Sequence, residues 1–150
     1  MSMQPQYLSA PGSPDYCQLI YDTDRQWLRV TWQGFVGPEQ AREGALAGLQ
    51  MLRQLHCAYL LNDNSRLEGP WFDSLFWLSH EWGPAAAQAG LRFVAHVAQA
   101  QSLATTYTPT PAHQIFQQFE IQVFEESAEA VEWLSSCQTE TDEDSARASA

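Results

Sequence analysis

The sequence has no lysine. Its seven basic residues are all arginine (Arg25, Arg29, Arg42, Arg53, Arg66, Arg92 and Arg147), set against eighteen aspartates and glutamates. Without clustered Lys and Arg a chain has little grip on a nucleic-acid backbone or an anionic membrane surface. Cysteine is scarce too: Cys17, Cys57 and Cys137 are an odd number at wide spacing, which suits neither a disulfide framework nor a zinc site. No stretch approaches the roughly 18 consecutive apolar residues of a membrane-spanning helix. The opening fifteen residues hold no basic residue and no apolar run, so a secretory signal is not expected. Free thiols then suit a reducing cytoplasm. Glycine-rich phosphate loops and the nucleophile-elbow pattern are missing as well. His80-Glu81 lacks the second histidine of a zinc-protease motif, and Pro84 interrupts the turn.

What is present is a core. The chain has 150 residues, 45% of them hydrophobic and 12% aromatic. That length suits one domain able to fold without staples, and that composition is too apolar for disorder. Residues 1–15, polar and carrying Pro5, Pro11, Gly12 and Pro14, read as a flexible lead-in. Tyr16–Tyr21 and Trp27–Gln33 read as strands; in the second, Leu28, Val30 and Trp32 alternate with Arg29, Thr31 and Gln33. Asp22 to Gln26 between them is turn chemistry, predicting a hairpin. Gly37-Pro38-Glu39 opens a helix that the spacing of Ala41, Ala45, Leu49 and Leu52 carries to about Leu55, with His56 at its C-terminus. Cys57–Leu61 reads as a short buried strand and Asn62–Gly69 as a loop.

A second helix begins at Pro70 or Trp71, with Trp71, Leu75, Leu78 and Trp82 on one face and Phe72 and Phe76 widening it. Pro84 should kink or break it, Ala85–Ala89 resume it and Gly90 end it. Leu91–Val97 is the fourth strand. A polar connection follows, hydroxyl-rich over Thr105–Thr110, with a short helix over Ala112–Gln118. Phe119–Phe124 is the fifth strand, Ser127 caps a last helix, and residues 138–150 read as an acidic, disordered tail. The predicted domain spans residues 16–137. It is an α/β domain with a mixed five-stranded sheet, an N-terminal hairpin and about four helices, the strands separated by helices being parallel.

This order of elements resembles the bacterial SpoIIAA-like proteins, a branch of the STAS/SEC14-type α/β fold. The resemblance rests on three stretches: Tyr59-Leu60-Leu61-Asn62-Asp63-Asn64; the aromatic helix through Glu81-Trp82 to Ala89-Gly90-Leu91 and Ala95-His96-Val97; and Phe119–Leu134 with Glu129-Ala130 and Trp133-Leu134. It implies a non-enzymatic regulatory domain that binds a partner protein. In antagonist-type STAS domains a phosphorylated serine follows an Asp by two positions at a helix start. Asp63-Asn64-Ser65 matches that spacing and marks Ser65 as the candidate phosphoacceptor, whereas Arg66-Leu67-Glu68 departs from the family's Gly-Leu-Gly continuation and Pro70 delays the helix.

Candidate chemistry centres on the end of the third strand, where α/β sheets collect ligands. Asp63, Asn64, Ser65 and Arg66 are the candidate binding residues there, although Asp63 and Asn64 equally suit an Asx-turn. Trp71 and Trp77 join them on the aromatic helix, which supplies more aromatic area than one stripe needs. It is free to line an apolar pocket, with 98–118 as its cover, or a homodimer interface. The first reading is a partner-docking domain using the Asp63–Gly69 loop. The alternative is a small-molecule or lipid-binding domain with a pocket lined by helix 71–82. A third, an enzyme of unknown class, requires His96, His113 and a carboxylate to converge, with Cys57 as a further candidate neighbour, and no motif supports it. No metal, cofactor or nucleic acid is expected. Residues 120–150 hold nine of the eighteen acids and one arginine, so the net charge of −11 lies mainly at the C-terminal end.

Overall fold

A computed structural model describes residues 4–68, 77–98 and 118–149. Among them run six strands in one sheet, ordered β1 to β6 as in the sequence. They are β1 (Gln6–Ser9), β2 (Asp15–Asp22), β3 (Trp27–Gly34), β4 (Tyr59–Leu67), β5 (Phe93–Val97) and β6 (Glu120–Phe124). The expected hairpin is β2–β3, and β3 through β6 run parallel. Its turn forms because Asp22 Oδ1 accepts the N–H groups of Asp24 at 3.0 Å and Arg25 at 3.1 Å, the Asx chemistry that favours Asp at turn starts.

The flexible lead-in is corrected over Gln6–Ser9. These residues form an edge strand antiparallel to β2, and Leu8 packs against the core. The four residues Gln-Tyr-Leu-Ser carry no apolar alternation; the strand forms by pairing with the edge of the hairpin, with Gln6 and Leu8 half-buried and Tyr7 and Ser9 exposed. The sheet therefore has six strands rather than five.

Helix α1 (Pro38–Leu55) has Pro38 at its first position, and Gln40 Oε1 accepts the N–H of Gly37 at 3.1 Å. His56 ends it in the left-handed conformation, its N–H returning to Leu52 O. The buried face includes two glycines, Gly44 and Gly48, as well as Ala41, Leu49, Met51 and Leu52. The glycines admit sheet side chains close to the helix backbone: Trp32 lies against Gly44 and Leu19 against Gly48.

A π-helical turn, Leu78–Trp82, precedes α2 (Gly83–Ala89). The run is not broken: Trp82 keeps helical backbone angles, and Pro84 accounts for the π-turn before it, since proline removes a donor and crowds the preceding turn. Gly90 closes α2 at φ 115°. The parts of the aromatic helix at Trp71, Phe72, Leu75 and Phe76, the segment 99–117 with its hydroxyl run, and His113 lie outside the described residues. Three helices stand among those described, against the four expected.

Helix α3 runs Ser127–Ser149, so the expected disordered tail is helical to residue 149. Cys137 is buried, and Gln138 Nε2 donates to the carbonyl of Arg25 at 2.6 Å. The helix is thus fastened at Cys137 and Gln138, at the point where its apolar pattern fades.

Helices α1 and α2 pack on one face of the sheet and α3 on the other. Parallel strands added in one direction through right-handed crossovers place their helices on a common face, and α3, entering after β6, is free to cover the opposite one. The larger core joins Cys17, Leu19, Leu28, Val30, Trp32 and Leu60 to α1 and α2. The smaller joins Trp27, Leu61, Ala95 and Val97 to Ala130 and Leu134 of α3.

Candidate functional site

The largest departure from expectation falls on the candidate residues. Asn62–Leu67 is not a loop; it is the second half of β4, paired with β3 as far as Leu67 beside Gly34. Asn-Asp-Asn reads as turn chemistry because these side chains compete for the backbone. Here their side chains are engaged inside the fold, and the backbone keeps its ladder.

Asn62 is the hub. Trp32 Nε1 donates to Asn62 Oδ1 at 2.9 Å. An indole nitrogen can only donate, which fixes the amide: Nδ2 faces Asn64 Oδ1 at 3.3 Å and His96 Nδ1 at 2.9 Å. His96 Nδ1 must therefore accept, and the ring is neutral with its proton on Nε2. Burial agrees. His96 is 4% exposed, and desolvation lowers its pKa to about 4, with Asp63 opposing weakly. Side chains from β3, β4 and β5 so form one polar cluster at the carboxyl ends of three parallel strands. Of the groups needed for an enzymatic reading, His96 lies in this cluster and Cys57 donates to its neighbour Tyr59 O instead, at 3.1 Å. His113 lies outside the described residues.

Asp63 faces away from this cluster. Its Oδ1 accepts the N–H of Ser65 at 2.9 Å, and its Oδ2 lies 3.8 Å from Arg29 NH2. The N–H bond is the Asx contact anticipated from the sequence. It serves a β-bulge: Thr31 pairs with Asp63 but Gln33 pairs with Arg66, so β4 carries one more residue than β3. Ser65 falls within the bulge, half-buried, in a strand rather than at a helix start. The ion pair is long and its arginine side chain 49% exposed, so it adds little.

A second bulge stands across the sheet. Leu8 pairs with Cys17 but Ser9 with Asp15, leaving Tyr16 as the extra residue in β2. Bulges redirect side chains, and Tyr16 and Arg66 both line a cavity of about 540 Å³ where β2, β3 and β4 meet the first turn of α1. Asp15, Gln33, Phe35 and Glu68 share its wall. Tyr16 donates to Glu43 Oε2 at 3.0 Å, and burial, reinforced by that carboxylate, pushes its pKa up to about 12. Gln33 Nε2 holds the carbonyl of Asp15. By contrast the charged side chains of Asp15, Arg66 and Glu68 form no ion pair or hydrogen bond among the described residues. Phe35 is 76% exposed.

Of the two tryptophan candidates the structure places one. Trp71 lies outside the described residues. Trp77 is half-buried against the larger core, with the Arg42 guanidinium 5.3 Å from its ring centre. Trp82 donates to Ala45 O at 2.7 Å and meets Phe119 edge to face. The described part of the aromatic helix is thus committed to packing, and no residue of it lines the cavity. Arg66 is the sequence candidate that does. Glu68 falls inside the expected Asp63–Gly69 stretch; Asp15, Tyr16 and Phe35 carry no such signal, because bulges leave no compositional mark, and the nearest cue is Gly34, which adopts φ 74° beside Phe35.

No protein-family model and no curated protein matches the chain. In structure it is similar to an uncharacterized protein of the DUF3478 family with a SpoIIAA-like fold, from Shewanella loihica PV-4. The TM-score is 0.51 at 19% identity, over 79% of this chain and 91% of that one. A likeness at this identity is one of fold: the chain has a SpoIIAA-like α/β fold. Among the described residues no helix is long and apolar enough to cross a membrane.

Proposed function

We propose that this chain is a non-enzymatic, cytoplasmic binding domain that docks a partner protein at the carboxyl end of β3 and β4. One observation carries the reading. Around a single cavity stand three charged side chains with no partner among the described residues, beside a phenylalanine that is 76% exposed. Aromatic residues, phenylalanine among them, and arginine are enriched at protein–protein interfaces. The docking surface is shifted from the one expected at Asp63–Gly69. Asp63 and Asn64 are buried and structural, Arg66 and Glu68 of the expected stretch remain, and Phe35 and Asp15 join them. Ser65 phosphorylation belongs to the same reading as regulation. A phosphate there would sit one residue from Arg66 and disturb the Asp63-braced bulge.

The test is affinity capture from a native lysate with wild type, Phe35→Ala plus Arg66→Ala, and Leu46→Ala as a control at another exposed apolar position. The reading predicts a protein recovered by wild type and the control and lost by the double variant. Equal recovery by all three contradicts it.

A further inference from the structure

The cavity wall carries charge of both signs. Arg66 supplies the cation, Asp15 and Glu68 the anions, and none of the three is neutralised by another described residue. A pocket built for an anion would not keep two carboxylates in its wall, since each opposes a bound negative charge. A pocket for a simple cation would not place a guanidinium there. Both signs are matched by a ligand that brings an acidic and a basic group together. The volume, about 540 Å³, falls within the range of pockets that take small ligands or a few side chains. The exposed Phe35 flanks the cavity, an aromatic face suited to a cation or to an aliphatic stem.

We propose that the cavity receives a polypeptide segment in which a basic and an acidic side chain are adjacent, the acid meeting Arg66 and the base meeting Asp15 and Glu68. This rests on the partner-docking reading and names the chemistry of the partner at that site. The two bulges give the arrangement its origin. They turn Tyr16 and Arg66 toward the cavity, and Asp63 holds the β4 bulge by taking the Ser65 N–H.

The experiment is an amide-resonance titration of the whole chain with blocked dipeptide probes: acetyl-Arg-Glu-amide, acetyl-Arg-Gln-amide and acetyl-Gln-Glu-amide, with free arginine as a fourth. The mixed-charge probe should shift the resonances of Asp15, Tyr16, Phe35, Arg66 and Glu68. It should bind about threefold or more tightly than either single-charge probe, the scale of one exposed ion pair. Arg66→Gln should erase its advantage over the basic probe, and Asp15→Asn plus Glu68→Gln its advantage over the acidic probe. Equal binding of a single-charge probe, no shifts with any probe, or free arginine binding as tightly as the mixed dipeptide would each overturn the proposal, the last reassigning the cavity to a free amino acid. The broader reading fails separately. If Phe35→Ala abolishes partner capture while Asp15→Asn, Arg66→Gln and Glu68→Gln together leave it intact, docking at this face stands and the mixed-charge inference falls.

Discussion

Two glycines on α1, four residues apart, should respond to alanine with opposite signs. A β-carbon on Gly44 would lie 2.9 Å from Trp32 Cζ3 and 3.1 Å from Cζ2, with Cη2 closer still. The indole cannot retreat freely, because it is 3% exposed and its Nε1 is held by Asn62. Removing a mid-helix glycine by itself gains about 0.5–1 kcal/mol. Against that stand an overpacking cost of about 1–3 kcal/mol and, if the indole moves, a hydrogen bond worth about 1 kcal/mol. Gly44→Ala should therefore destabilise the fold by about 1–3 kcal/mol. A β-carbon on Gly48 would meet only Leu19 Cδ2, at 3.6 Å, an ordinary contact, so Gly48→Ala should stabilise by about 0.5–1 kcal/mol. Urea unfolding of both variants gives the comparison, with midpoints moving in opposite directions at a common slope. Gly44→Ala as stable as Gly48→Ala would refute the claim that Trp32 is locked between Asn62 and the helix backbone.

Three further outcomes follow from the same geometry. His96 is held neutral, its pKa lowered from 6.5 to about 4 by burial. The unfolded chain thus binds the proton first as pH falls. Stability is complete above pH 6.5 and declines from there to about pH 4, by on the order of 3 kcal/mol from this group; denaturation midpoints across that range should show the loss, and His96→Asn should flatten it. Asp63→Ala should cost about 1–2 kcal/mol by stranding the Ser65 N–H, Asp63→Asn far less, and Arg29→Ala under about 0.5 kcal/mol; thermal unfolding ranks the three. Burial pushes the thiols of Cys17 to about 12 and Cys137 to about 11 and raises that of Cys57, so a thiol reagent at pH 8 should label none of the three quickly until denaturant is added.

How much the sequence discloses differs from element to element. The hairpin, α1 and the close at Gly90 are written locally, in turn residues and spacing, and each stands where expected; at Pro84 the helix answers with a π-turn rather than a break. The order of elements also carried the SpoIIAA-like resemblance that the structural comparison supports. Asn62–Leu67 reads as a loop although it is a strand, because the Asn62 side chain finds partners thirty residues or more away, at Trp32 and His96, and no local pattern announces that. The same cause hid the cavity. Its walls come from β2, β3, α1 and β4 through two bulges, and a bulge is a matter of pairing register, not of composition. Arg66 was legible as a candidate from its place after a buried strand; Phe35 became one only when its exposure was known.

The central claim is that a partner docks on the face bearing Phe35 and Arg66. Hydrogen–deuterium exchange of the captured complex against the free chain tests it most directly. Protection should gather at residues 13–16, 33–40 and 64–68, leaving β6 and α3 unchanged. Protection confined to β6 and α3, with those three stretches exchanging as in the free chain, would contradict the account.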